Sequence, residues 1–540
     1  MVRFTLSSSL LVLAFASFAT AAPSLQERTS EPTSGFVGQT TCNGKTYTYR
    51  ELAGYGFVPS NFRDKYGDTV SLGSSIALER KSWEKKTRAV LGGGNRTIET
   101  YYEGTLWTMP DRGWNTEGTT LWQPRLHKFQ IDFTPKLANA ASPSPPNVKL
   151  LYIDTILLRD PSGKPISGLE PTTILNYGGF PALPAAKYTG DGFGGAGQGG
   201  VRVSMDPEGL VLDTQDDDGG FWISDEYGPY VYKFDKTGKM NMAVRPPDAY
   251  IPQRNGTQSF ASNNPPIYNP DLHPVPANPE SGRSNNQGFE GLTVSGDGKS
   301  LYVMLQSAMI QDGGLDKTTN RYTRMLEYDI SGKGKAKLSG EYVVPLPQYI
   351  DPTKKPGSKP RTAGQSEIQA LGDDQFFVLS RDGFGRGTDL TTSQYRQIDV
   401  VDIRKASDIK PRKLQTVTTS PTSGTLLSSI TPAMYCPFLN FNVDSELSKF
   451  GLRNGGADDE NCLNEKWESI AMMPVDGNDG DDDEWWVLSM SDNDFITQDG
   501  YISTGDIRYV DGSGKNFDNQ ALFFRVKLPN NSKPFSEKNY

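Results

Sequence analysis

Histidine is nearly absent from this 540-residue chain: only His127 and His273 occur. That scarcity limits the chemistry at once, because general acid–base work and zinc binding lean on imidazole more than on any other side chain. His127 falls in a strand-like stretch and reads as a packed strand residue, and His273 falls in a Pro-rich loop (NPDLHPVP). The zinc-protease pattern H-E-x-x-H, the G-x-S-x-G elbow and an Arg-His-Gly phosphatase motif are all missing. Cysteine is scarce too, with Cys42, Cys436 and Cys462 only, and neither histidine lies near one of them in sequence. A cysteine nucleophile is therefore not expected. Beyond the amino terminus no apolar run approaches the 18 to 20 residues of a membrane helix. There is no basic stripe and the net charge is −9, so nucleic acid is not an expected partner. An anionic substrate would have to be captured by local arginines or a metal, since the global field repels it.

What is present begins with MVRFTLSSSLLVLAFASFATAAP, a positive start, an apolar run and a small-x-small site ending at Ala21. This is the pattern of a secretory signal peptide and predicts an exported, extracellular protein. Residues 22–40 read as a polar, disordered leader, and residues 41–540 as one domain. Sequons at Asn95, Asn255 and Asn530 are compatible with glycosylation on that route. In an oxidising compartment, sequence proximity predicts a Cys436–Cys462 disulfide and leaves Cys42 odd. The alternative is that Cys42 reaches across the fold, if the amino terminus packs on the last part of the chain.

The 56 glycines and 37 prolines, with many aromatic residues, predict a turn-rich all-β protein. Apolar runs of four to eight residues recur in a four-strand theme. The units are Ser74–Leu158, Asp206–Arg245, Phe289–Leu346, Glu367–Thr419 and Trp467–Leu528, the fourth strand of the fourth unit being read at Lys413–Thr419. A leading Glu recurs at 208, 290, 367 and 468, and the second strands FWISDE, LYVMLQ, FFVLSRD and WWVLSMSD align with one another. Four antiparallel strands repeated radially predict a β-propeller, with five blades clear and a sixth possible between Ser74 and Glu208. The last unit lacks a fourth strand, and Lys45–Pro59 stands ready to supply it and close the ring. A two-sheet sandwich with long insertions is the competing architecture.

Several conspicuous motifs carry no chemistry. Gly192–Gly197 (GFGGAG) fits a dinucleotide fingerprint, but a strand and not a helix follows, so it reads as a loop. The acidic runs Asp216–Asp218 and 476–484 fall in hairpin turns and lack EF-hand spacing. What remains is a set of acids at strand ends. Glu208, Glu290, Glu367 and Glu468 open the inner strands, while Asp111, Asp225, Glu226, Asp382 and Asp492 close the second strands on the same face. Acids so gathered repel unless a cation, an arginine or protonation relieves them. Arg112 and Arg381 lie next to them, and calcium, which takes six to eight oxygen ligands, is the expected ion.

The segments PEGL, FEGL, ISDEYGPYVYKFD, SRDG and WESIAMM resemble the phytase-like esterase family of secreted or periplasmic propeller proteins, over roughly Gly54 to Leu528. The resemblance implies hydrolysis of phosphate esters, without a leading Glu in the first unit, where Gly73-Ser74 stands. The expectation is a calcium-assisted phosphoesterase, monomeric and acting on a small ester. Glu208, Asp225, Glu226, Asp382, Arg381 and Arg112 are its candidate catalytic residues, the two arginines serving as phosphate clamps. Glu208, Glu290, Glu367, Glu468, Asp225 and Asp492 are its candidate metal ligands. A lactonase-type propeller and a non-catalytic binding propeller are the rivals.

Overall fold

The computed structural model describes residues 26–28 and 35–534, apart from 93–94, 214–218, 333 and 478–482. The predicted signal peptide with its cleavage site at Ala21, the Asp216–Asp218 run and most of the 476–484 run lie outside these residues, as does the Asn95 side chain. The chain is all-β, with a single short α-helix, Asp444–Leu447, and four 3-10 turns among the described residues. The predicted leader ends in order: Gly38–Cys42 is already a strand.

Five antiparallel sheets carry the fold. The first is built from Ser75–Gly92, Asn95–Met109, Arg125–Phe133 and Val148–Leu157, and Gln26–Arg28 from the predicted leader adds one parallel strand beside Asn95–Met109. The second comprises Pro207–Leu212, Gly220–Asp225, Val231–Asp235 and Met240–Val244, and the third Phe289–Val294, Ser300–Leu305, Tyr322–Asp329 and Lys337–Pro345. The fourth comprises Gly364–Gly372, Gln375–Arg381, Arg396–Asp402 and Met434–Asn440. Its outer strand is therefore not Lys413–Thr419 as the sequence suggested. That segment is a loop whose Val417 packs into a small satellite cluster with Val343 and Ile409. The fifth sheet takes Ala471–Pro474, Glu484–Met490 and Asn519–Lys527 from the end of the chain, then Lys45–Val58 and Gly38–Cys42 from its beginning. Lys45–Val58 runs antiparallel to Asn519–Lys527, as the missing fourth strand required.

Alternation along each strand sends side chains to two different cores. In the second sheet Phe221 and Ile223 pack with Trp107 and Leu126 of the first sheet. Their neighbour Trp222 packs with Leu301 and Val303 of the third. Tyr302 and Met304 of the third sheet meet Phe376 and Val378 of the fourth. Phe377 and Leu379 of the fourth meet Tyr47 and Phe524 of the fifth, and Trp486 and Phe523 of the fifth meet Leu106 and Phe129 of the first. There is thus one apolar core for each pair of neighbouring sheets. Between the first and second sheets the chain forms a three-stranded sheet, Thr173–Leu175, Leu183–Tyr188 and Gly200–Val203. Leu183 and Val203 add to the core between the first and second sheets, so this sheet covers an existing interface.

Cys42 is bonded to Cys436, and Cys462 is a buried free thiol. The predicted Cys436–Cys462 bond is thereby corrected. Gly38–Cys42 edges the fifth sheet beside Met434–Asn440, so the amino terminus reaches Cys436 across the fold.

Candidate functional site

The recurring Glu-Gly pair has a backbone cause. In the second sheet Pro207 faces Asp225 and Leu210 faces Ile223, so Glu208 and Gly209 together oppose one residue. The third sheet repeats this β-bulge at Glu290-Gly291, between Phe289 facing Leu305 and Leu292 facing Val303. A Cβ on Gly209 would stand 2.5 Å from the Leu292 Cβ and from the Ser224 Oγ. Glycine lets the inner strands touch there, and the Glu before it is left at the strand end, at the mouth of a cluster of acids. The fourth sheet has a one-residue bulge, and Glu367 pairs with Leu379 at the register of Leu210 and Leu292. Glu367 is thus set deeper than Glu208 and Glu290. Its carboxylate accepts hydrogen bonds from Leu292 N (3.0 Å), Ile368 N (2.8 Å) and Ser75 Oγ (2.5 Å). It ties three sheets together and is not at the mouth.

Asp206, Glu208 and Glu226 converge, each offering an oxygen within 4.8 Å of the others, and all three are buried. Asp206 was not singled out in the sequence. Its place two residues before Glu208 on the same strand edge was the signal that could have found it. Burial, then Glu290, Asp206, Glu226 and Glu468 in that order, push the Glu208 carboxyl well above its ordinary range. Glu290 is raised likewise, by burial and then by Glu226 and Glu468, and it accepts a short hydrogen bond from Gln306 Nε2. Asp206 is raised to about 7 by burial, although Arg112 Nη1 donates to its Oδ2 at 2.5 Å. Asp206 Oδ1, Glu226 Oε2 and Glu290 Oε2 are buried without a hydrogen-bond partner.

A second group forms beside the first. Asp111, Asp492 and Asp494 also offer oxygens within 4.8 Å of one another. Here the protein supplies its own cation: Lys466 Nζ lies 2.7 Å from Asp494, 3.4 Å from Asp492, 3.5 Å from Asp111 and 3.6 Å from Glu468. Burial opposes ionisation of Asp492, but Lys466 and hydrogen bonds from Ser71 and Ser74 outweigh it and lower the pKa. Ser74 therefore uses the position where the first unit lacks a Glu. Glu468 joins the two groups, since Arg381 donates to it at 2.5 Å and with its other Nη forms a short bond to Glu465.

Two expected catalytic acids turn away from this mouth. Asp225 spends both oxygens on Asp206 N (2.8 Å), Gly228 N (3.0 Å), Tyr227 N (3.1 Å) and the Tyr232 hydroxyl (3.1 Å). Asp382 receives Phe384 N, Gln394 N and Tyr395 N. Both carboxylates hold strand-end turns, because a turn there leaves several N–H groups pointing at one spot. Arg112 is buried and committed to Asp206, so it stiffens an acid and is not poised as a phosphate clamp. His127 is buried against Thr155 with its pKa lowered to about 3 by burial, and His273 is exposed on Asn263. Neither histidine reaches the acids.

Residues 99–495 match the family described as Phytase-like: Esterase-like activity of phytase. This chain belongs to that family. An uncharacterized secreted protein of Arthroderma benhamiae is 49% identical over 481 residues, which covers 87% of this chain and 91% of that one. Among solved structures, a Bacteroides uniformis protein provisionally assigned as a 6-phosphogluconolactonase is similar at 11% identity and a TM-score of 0.25, over 88% of this chain and 94% of that one. A gluconolactonase of Xanthomonas campestris is similar at 10% identity and a TM-score of 0.21, over 84% and 100%. As a member of the phytase-like family, the chain carries the Glu-Gly bulges, the ISDEYGP turn and the WES segment, which leads into the strand Ala471–Pro474, within the matched residues.

Proposed function

We propose that this member of the phytase-like family is an exported, monomeric ester hydrolase, a five-bladed propeller closed by its amino-terminal strands. It works on a small phosphate ester with the help of a divalent cation. One observation carries this reading: Asp206, Glu208 and Glu226 converge in a buried place, beside Glu290, with carboxylate oxygens left unpartnered. Buried unpaired carboxylates are costly, and oxygen-only donors suit calcium above softer metals. Asp206, Glu208, Glu226 and Glu290 would hold the ion, and Lys466 already serves the Asp111, Asp492 and Asp494 group. When bound, such an ion polarises the ester oxygen and lowers the pKa of a water.

The protein's own residues do the rest. Burial and the neighbouring acids raise Glu208 and Glu290 above the ordinary carboxylate range, so either one, when it is not engaged with the ion, suits proton transfer to a leaving group. Arg381 holds Glu468 and Glu465, Gln306 fixes Glu290, and Asp225 fixes the turn that carries Glu226. A carboxylic ester or lactone is the second reading. It is favoured by the commitment of Arg112 and Arg381 to acids, which leaves the floor of the site rich in negative charge.

The test is turnover of p-nitrophenyl phosphate, bis-p-nitrophenyl phosphate and p-nitrophenyl acetate by the purified protein, with calcium and with chelator. Chelator-sensitive phosphate-ester turnover that Glu226→Gln removes is the expected result. Turnover of the acetate alone moves the assignment to carboxylic esters, and no turnover at all sinks it.

A further inference from the structure

The floor of the site is acidic, so the anionic end of a phosphate ester needs cations elsewhere. Beside the mouth, the fourth sheet brings three together. Gly364 faces Arg381 at the start of that sheet. Two residues earlier, Arg361–Thr362 pairs with Gln348–Tyr349 in a small hairpin. Thr362 N in turn donates to Lys317 O at 2.7 Å, which sets Lys317 beside Arg361. Arg381 is shared, since its two Nη groups reach Glu465 and Glu468 of the acidic site.

Acids also lie near these cations, but they are occupied. Asp316 accepts Thr318 N at 2.8 Å, and Asp351 accepts Thr353 N and Oγ1 at 2.9 and 2.6 Å. Asp382 is spent on three backbone N–H groups and Glu465 on Arg381. The cations are less satisfied. Arg361 meets Asp351 only through Nε, at 3.3 Å without hydrogen-bond geometry. The Tyr349 hydroxyl also lies beside the Arg361 guanidinium, but among the described residues no acid accepts a hydrogen bond from its Nη groups or from Lys317 Nζ. Lys317 is an exposed residue, yet desolvation by the surrounding atoms, followed by the Arg361 and Arg381 charges, lowers its pKa from the ordinary range. Like charges gathered beside occupied acids lower their mutual repulsion by taking an anion.

We infer that Lys317 and Arg361 form an anion subsite at the lip of the acidic mouth, which takes the phosphoryl or carboxylate group of the substrate while Arg381 links it to the carboxylates. This rests on the hydrolase reading for the identity of the ligand, but not for its binding. A guanidinium fork and an ammonium suit a tetrahedral or planar oxyanion, and a neutral ester gains nothing from them.

The experiment is equilibrium binding of phenylphosphonate, a mimic of a phosphate ester that cannot be hydrolysed, to the calcium-loaded full chain by calorimetry. Its neutral diethyl ester is the comparison. Lys317→Ala and Arg361→Gln should each weaken phenylphosphonate about tenfold. Lys317→Arg should keep most of the affinity, and calcium affinity and thermal stability should hold in all three variants. In turnover, KM for p-nitrophenyl phosphate should rise by the same factor with kcat nearly constant. Wild-type protein that fails to bind phenylphosphonate, or variants that bind it unchanged, would overturn the subsite. Absence of turnover with binding intact overturns only the hydrolase reading.

Discussion

At the scale of single residues, the acids sort by what their oxygens touch. Glu208 and Glu226 face one another and Asp206, whereas Glu367 and Asp225 spend their oxygens on N–H and O–H donors. Glu208→Gln and Glu226→Gln should therefore each weaken calcium binding by 10- to 100-fold. Glu367→Gln should leave it unchanged, because its donors come from the backbone and Ser75; calorimetry on the folded variants decides. The same acids predict how stability follows pH. Asp206 is pushed up to about 7, and Glu208 and Glu290 well above their ordinary values, while unfolded carboxyls titrate near 4. Between those limits the folded chain binds more protons than the unfolded one. The stabilisation is complete below about pH 4 and is lost as pH rises through about 7. Without a divalent cation, the melting temperature should fall from pH 5 to pH 8, and calcium should restore it most at pH 8. A chelated protein whose melting temperature rises over that range would contradict the buried cluster.

Among elements, what could be foreseen depended on whether local sequence decides the outcome. The repeated Glu-Gly pair and the alternating second strands are local, so four of the inner strands and the place of Lys45–Val58 as the fourth strand of the last unit were legible. The place of Glu367 was not, because the fourth sheet makes the same one-residue bulge with its Glu at the position of Leu210 and Leu292, which spacing alone does not show. Lys466 and Glu465 escaped notice because the charges in NEKWES have no periodicity, and their roles appear only when Asp111 arrives beside Lys466 and Arg381 of the fourth sheet beside Glu465. The disulfide failed for the same reason, since sequence distance says nothing of which edges meet. Cys42–Cys436 joins positions 394 residues apart and staples the edge of the fifth sheet to the outer strand of the fourth. Cys42→Ser combined with Cys436→Ser should cost about 2–5 kcal/mol. Thiol counting by mass spectrometry checks the pairing independently: one labelled cysteine after denaturation without reductant, three after reduction. Labelling of Cys462 in the native protein would contradict its burial.

For the whole molecule, the question is whether five sheets behave as one body. Each sheet contributes one side of its strands to the core before it and the other side to the core after it, and the fifth closes on the first through Trp486, Phe523, Leu106 and Phe129. No sheet has a core of its own, so none can lose its neighbours and stay folded. The fifth is also assembled from both ends of the chain, which makes its pairing a long-range contact that forms late and holds the rest. Leu52 sits on the closing strand, buried in the core between the fourth and fifth sheets. Leu52→Ala should cost about 2–5 kcal/mol through the cavity it leaves. In the proposed propeller, where every sheet shares its cores with two neighbours, that loss should lower the melting of every sheet together. Pulsed hydrogen exchange read at the second and third sheets, far from residue 52, should show their amides opening at the same reduced temperature as those of Asn519–Lys527. Early opening of the fifth sheet alone, with the second and third still protected, would mean that the amino-terminal strands decorate the fold and do not close it.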